Sequence, residues 1–151
     1  MNPPLTFRLA MIEERVALED LQFRASLENA NDRDALLAQP DAVEIPDSQL
    51  HSGQVRVCLD SGAVVGFSVV VPGIDDEFEL DGLFVEPRLQ GRGLGRALLT
   101  DACHHARSSG AKSLLVVANP HALRFYEACG FLIVGRATTR FGPALLMRKP
   151  L

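Results

Sequence analysis

The sequence predicts a mixed α/β domain, a single sheet with helices on both of its faces. Three observations carry that prediction. Two β-prone runs, Gln54 to Leu59 and Ala63 to Val71, flank the turn residues Asp60, Ser61 and Gly62 and read as an antiparallel hairpin. An amphipathic helix spans Gly93 to Ser109, with Leu94, Leu98, Leu99, Ala102 and Ala106 at helical spacing. That helix separates two further strand-like runs, Glu77 to Val85 and Ser113 to Ala118, and a helical crossover makes such a pair parallel.

The remaining elements follow in order. Leu5 to Leu9 alternates and forms the first strand. Glu13 to Glu28 is helical, with Ala17, Leu18, Leu21 and Ala25 on one face. Asn31 or Asp32 caps a second helix through Leu37, which stops before Pro40. Residues 38 to 53 read as loop with a short turn near Pro46, and residues 72 to 76 as a turn. Gly110 fits the end of the long helix, and Pro120 the first turn of another that reaches Cys129 and stops at Gly130. Phe131 to Arg136 and Ala144 to Lys149 close the sheet.

Composition bounds the function classes. Hydrophobic residues make up 47% and charged residues 23%, an ordinary globular balance in a chain whose 151 residues suit one domain, 1–151. Cys58, Cys103 and Cys129 are odd in number and lack metal-ligand spacing, so they read as core or helix residues in a reducing compartment, and no metal is expected. The N-terminus does not read as a signal peptide and no apolar run approaches a membrane span; a cytoplasmic protein without membrane contact is expected. The net charge of −4 is unevenly spread: residues 1–86 hold 17 acids and 5 bases, net −12, and residues 87–151 hold 2 acids and 10 bases, net +8. The basic half suits a polyanionic cofactor and the acidic half a cationic substrate. Nucleic acid is not an expected partner, because the basic half has no aromatic-rich platform.

The stretch from Glu79 to Arg96, ELDGLFVEPRLQGRGLGR, holds the chemistry. Gly91, Gly93 and Gly95 fall where a turn becomes a helix. The first amides of a helix have no partner inside it, and the helix dipole favours an anion there. A glycine-rich turn running into a helix is therefore a phosphate cradle, here ringed by Arg88, Arg92 and Arg96. No Gly-Lys-Ser or Gly-Lys-Thr follows, which excludes a P-loop. The G-x-G-x-G spacing and the lack of an acid near Lys112 fit a dinucleotide fingerprint badly.

What matches instead is Gln90-x-x-Gly93-x-Gly95 after a strand ending in Val85, Glu86 and Pro87, which resembles the coenzyme A signature of the Gcn5-related N-acetyltransferases (GNAT). The run from Asn119 to Phe131, NPHALRFYEACGF, resembles that family's second motif. The resemblance covers roughly residues 54 to 151, and the element order agrees with it. It implies a mostly antiparallel sheet with a splayed parallel pair, strands 4 and 5, and acetyl-CoA as acyl donor. It also implies that the backbone of Leu83, Phe84 and Val85 pairs with the pantetheine arm. Gln90, Gly91, Arg92, Gly93, Leu94, Gly95 and Arg96 would hold the pyrophosphate, and Asn119 would position the cofactor and the next helix. By the same resemblance Tyr126, the only tyrosine, is the general acid for the departing thiolate. Glu79 stands where some members carry a general base, with Asp81 second; others work through water chains, with no single base. Strand alternation places Glu79 and Asp81 on one face with Leu83 and Val85.

The expected function is acetyl transfer from acetyl-CoA to a primary amine, on a small cationic molecule or an exposed amino group of a peptide. A non-catalytic acyl-CoA-binding module on the same fold is the alternative, and a nicotinamide dinucleotide enzyme a third, disfavoured by the glycine spacing. Asp32, Asp34, Asp41, Glu44 and Asp47 form the acidic approach that a cationic acceptor would meet. The oligomeric state is open, with a homodimer possible.

Overall fold

Seven strands form one sheet in the order β1-β2-β3-β4-β5-β7-β6 in the computed structural model, which describes residues 4–28, 37–38 and 43–151. The strands are β1 (Leu5–Leu9), β2 (Val55–Asp60), β3 (Ala63–Pro72), β4 (Glu77–Val85), β5 (Ser113–Ala118), β6 (Leu132–Thr139) and β7 (Gly142–Pro150). Every neighbouring pair is antiparallel except β4 and β5, which run parallel because a helix crosses between them. The helices are α1 (Arg15–Leu27), entered through a 3₁₀ turn at Ile12–Glu14, α2 (Asp47–His51), α3 (Leu94–Ser108) and α4 (Leu123–Ala128). None of the helices in the described residues is long and apolar enough to cross a membrane.

Both faces of the sheet are covered. On one, Leu18 and Leu21 of α1 and Leu50 of α2 pack on Val55, Val57, Phe67 and Val69. On the other, α3 buries Leu94, Leu98, Leu99, Ala102 and Ala106, the five positions its periodicity marks out. Leu98 is fully enclosed, and its truncation to alanine costs about 2–5 kcal/mol. Tyr126 of α4 joins this second layer beside Phe131.

The parallel pair is short. β4 pairs with β5 only from Glu77 opposite Ser113 to Leu80 opposite Val116. Beyond that point β5 continues on β7 alone, to Ala118 opposite Leu145, while β4 continues on β3 alone, to Val85 opposite Gly66. The sheet is therefore split along Asp81 to Val85. Glu86 closes the open end of β4 against α1 through an Arg24 ion pair of 2.9 Å.

The structure corrects four expectations. Alternation does not hold along β4: Val69 stands opposite Gly82 and Val70 opposite Leu80, so Asp81 is an extra, bulged residue. One extra residue reverses the parity. Glu79 consequently shares the α1 face with Phe84, while Leu83 and Val85 pack on the α3 face. The loop read over residues 38 to 53 contains a five-residue helix, α2, too short for an apolar period to reveal. In α1, Ala17 is exposed, and only Leu18 and Leu21 of the expected face are buried. The helix expected from Asn31 or Asp32 to Leu37 lies mostly outside the described residues; Leu37 and Ala38 are helical. β6 and β7 run longer than expected, meeting at a turn through Arg140 and Phe141.

Candidate active site

The glycine turn is open as its sequence demands. Gly91 and Gly93 adopt φ of +81° and +80°, a region L side chains rarely enter, and a Cβ at either would meet no atom within 4 Å. Gly93 is the N-cap of α3, and the first amide closed into the helix is that of Ala97, donating to the Gly93 carbonyl at 3.1 Å. None of the amides from Gly91 to Arg96 has a partner among the described residues. They border a cavity of about 520 Å³ on the α3 face, with Gln90, Leu94 and Arg96 at the turn, Leu83 and Val85 along β4, and Phe125 and Tyr126 opposite. Arg88 and Arg92 are exposed beside it. Gly95 has a different reason to be small: a Cβ there would stand 3.4 Å from the Phe125 ring, so it lets α3 and α4 approach.

The free edge of β4 forms the inner wall. The Glu86 amide donates to Val65 of β3 at 2.8 Å. Backbone groups alternate in direction along a strand, so those of Val85 and Leu83 point into the split. Tyr126, only 8% exposed, lines the cavity across from them. Burial pushes its hydroxyl well above the ordinary tyrosine range, which keeps the phenol protonated, a donor rather than an anion.

A second cavity, about 310 Å³, lies on the α1 face of the same split. Its floor is Phe84 on one strand and Val117 and Asn119 at the end of the other; Gln22 and Ser26 of α1 and the β6–β7 turn wall it. Phe84 and its neighbours Leu83 and Val85 thus put the two cavities back to back across one strand. Asn119 is the N-cap of the 3₁₀ turn Pro120–Ala122, its Oδ1 accepting from the His121 amide at 2.9 Å, and it borders this second cavity rather than the glycine turn.

Glu79 is paired within the sheet, opposite Val71 and Leu115, just below the split. Burial, and then the negative charges of Asp81 and Glu77, hold its carboxyl above the usual glutamate range. Asp81 is exposed on the bulge and accepts from Gln49 Nε2 at 3.3 Å. The structure therefore brings Tyr126, the β4 edge and the glycine turn together on one face, and places Glu79 and Asn119 toward the other.

Of the acidic approach, Asp32, Asp34 and Asp41 lie outside the described residues, Glu44 is exposed, and Asp47 is paired with Arg15 at 3.3 Å. Burial pushes the Cys58 thiol up to about 11 and raises that of Cys103, and no cysteine lines either cavity among the described residues. Sequence reasoning missed Phe125 in the first cavity and Gln22, Ser26, Thr139 and Phe141 in the second. Gly95 was the available signal for Phe125; nothing local marks the others.

Comparison with known proteins bears on the family and the fold. The Acetyltransferase (GNAT) family model matches residues 16–131. The N-acetyltransferase YvbK of Bacillus subtilis is 28% identical over 111 residues, 70% of this chain and 72% of that protein. The glucosamine 6-phosphate N-acetyltransferase of Trypanosoma brucei brucei is 36% identical over 52 residues, a match that spans 34% of this chain and only 35% of its relative's length. The PaiA N-acetyltransferase of Thermoplasma acidophilum, solved in complex with coenzyme A, shares the fold with a TM-score of 0.75 at 15% identity, over 98% of this chain and 99% of that one.

Proposed function

Because the chain belongs to the acetyltransferase (GNAT) family, we propose that it moves an acetyl group from acetyl-CoA to a primary amine by direct attack in a ternary complex. The observation that carries the reading is the run of partnerless amides from Gly91 to Arg96 beside the open edge of β4. The amides of Gly91, Arg92, Gly93, Leu94, Gly95 and Arg96 bind the pyrophosphate at the helix N-terminus, with Gln90 and the arginines flanking it. The pantetheine arm lies along Leu83, Phe84 and Val85 as an added strand, and a backbone N–H there polarises the thioester carbonyl. Asn119 holds the end of β5 and the start of the following turn in register with the cofactor.

The amine arrives from the α1 face as its ammonium. Glu79, with Asp81 second, takes a proton from it through water, since Glu79 sits below the split rather than in it. The free amine nitrogen attacks the thioester carbon, the C–S bond breaks, and the Tyr126 hydroxyl gives its proton to the departing sulfur, while the second proton lost by the nitrogen as the amide forms returns through water to the Tyr126 oxygen. The N-acetylated acceptor and CoA leave on opposite faces. A cationic acceptor suits the acids of the N-terminal half, and small molecules and peptide amino groups are both admitted.

Coenzyme A and acetyl-CoA should raise the Tm by mass action, and NAD should not. An unmoved Tm with CoA would remove the cradle. CoA binding without release of thiol in the presence of any amine would instead make the chain an acyl-CoA-binding module.

A further inference from the structure

We propose that the acceptor carries its amine on a flat apolar group, as an arylalkylamine does, and that this group seats between Phe84 and Phe141 in the cavity on the α1 face. The inference rests on the acetyltransferase reading and names the class of its second substrate.

The cavity floor is the split itself, so whatever fills it presents its near end to the β4 edge. Its two aromatic walls come from different elements. Phe84 rises from β4 and is fixed by Phe67, whose ring centre is 5.2 Å away, and by Gly82, where a Cβ would fall 2.7 Å from Phe84 Cε2. Phe141 stands at the β6–β7 turn. Thr139 Oγ1 accepts from its amide at 3.1 Å and donates to the Gly142 carbonyl at 3.1 Å, and the Arg140 guanidinium carbon lies 5.8 Å from its ring centre. Two positioned rings favour a third ring between them through offset or edge contacts.

The other walls argue the same way. About 310 Å³ suits a small molecule. Among the described residues no wall carries a charge: the polar ones are Gln22, Ser26, Asn119 and Thr139. A second ammonium of a polyamine, or a phosphate or carboxylate, would lose water there with no counter-charge from any of the described walls. A sugar would need partners for several hydroxyls, and most of the lining, Val43, Phe84, Val117, Phe141, Pro143 and Ala144, has no polar side chain to offer them. The single ammonium of an arylalkylamine need not be buried among these walls: it is held at the split, above Glu79, which is paired with Leu115 just below it.

The test follows CoA release at saturating acetyl-CoA with phenethylamine, spermidine and glucosamine as parallel acceptors. The expected kcat/KM for phenethylamine exceeds the other two by about tenfold or more. Phe141 is 38% exposed at a turn, so truncating it leaves the core intact. Phe141→Ala should lower the phenethylamine value about tenfold through KM, with Phe141→Tyr restoring it and the CoA-induced Tm shift reporting an intact fold. Spermidine or glucosamine as the better acceptor, or phenethylamine kinetics that Phe141→Ala leaves alone, would overturn the inference while leaving the transferase standing. No CoA release with any amine would overturn the transferase reading and this inference with it.

Discussion

At Gly93 the backbone has φ of +80° and empty space where a Cβ would point, the space a phosphate needs. Gly93→Val both strains that conformation and fills the cradle, so the Tm shift caused by CoA should vanish; a shift of the original size would contradict the assignment. In the proposed mechanism Tyr126 acts at a later step, as general acid. Burial holds its hydroxyl protonated, and losing one general acid costs about 10²–10⁴-fold. Tyr126→Phe should lower kcat by that order while CoA binds as before, and a loss of less than about twofold would move the acid elsewhere. Glu79 makes two predictions with opposite signs. As base, its replacement by Gln should depress the rate most at low pH, the loss shrinking above the amine's own pKa. For stability the folded state holds the Glu79 proton more tightly than the unfolded state, because its carboxyl is raised by burial and by Asp81 and Glu77. Above the folded pKa the ionised group therefore costs stability, and below the unfolded pKa that cost is gone. Glu79→Gln should raise the Tm at neutral pH, the gain fading as pH falls through the ordinary glutamate range. Tm measured against pH checks it, and a variant less stable than the parent at neutral pH would contradict the sign.

At the scale of elements, β4 decides which groups face which substrate. The bulge at Asp81 turns Glu79 and Phe84 to the α1 face and leaves Leu83 and Val85 on the other. Gly82 makes room for the Phe84 ring. Gly82→Ala should displace that ring and raise the acceptor KM while the CoA-induced Tm shift holds; loss of CoA binding instead would mean that the whole strand had moved. The bulge was hidden in the sequence because a strand's polar and apolar pattern carries no mark for one inserted residue. Gly82 was its only trace, since a glycine inside a strand often accompanies a bulge. Helix α3 was legible residue by residue, because 15 residues supply several turns of apolar period. Helix α2, with five, supplies barely one, and its single buried residue, Leu50, sets no pattern.

For the whole molecule, what could be read from sequence was what is local in sequence. The cradle runs unbroken from Gln90 to Arg96, and its chemistry follows from glycine and a helix start. The proposed acceptor cavity is assembled from Gln22, Phe84, Val117 and Phe141, residues that only the fold brings together. The charge asymmetry gave no sign of this cavity, whose walls carry no charge among the described residues. The two cavities flank the split on opposite faces, and the central claim is that acetyl crosses it directly from donor to acceptor. Initial rates of CoA release, with acetyl-CoA varied at several fixed concentrations of an accepted amine, test this most directly. The account predicts lines that intersect in a double-reciprocal plot and no CoA released before amine is added. Parallel lines, with one equivalent of CoA released from acetyl-CoA by the protein alone, would reveal an acyl-enzyme and contradict it.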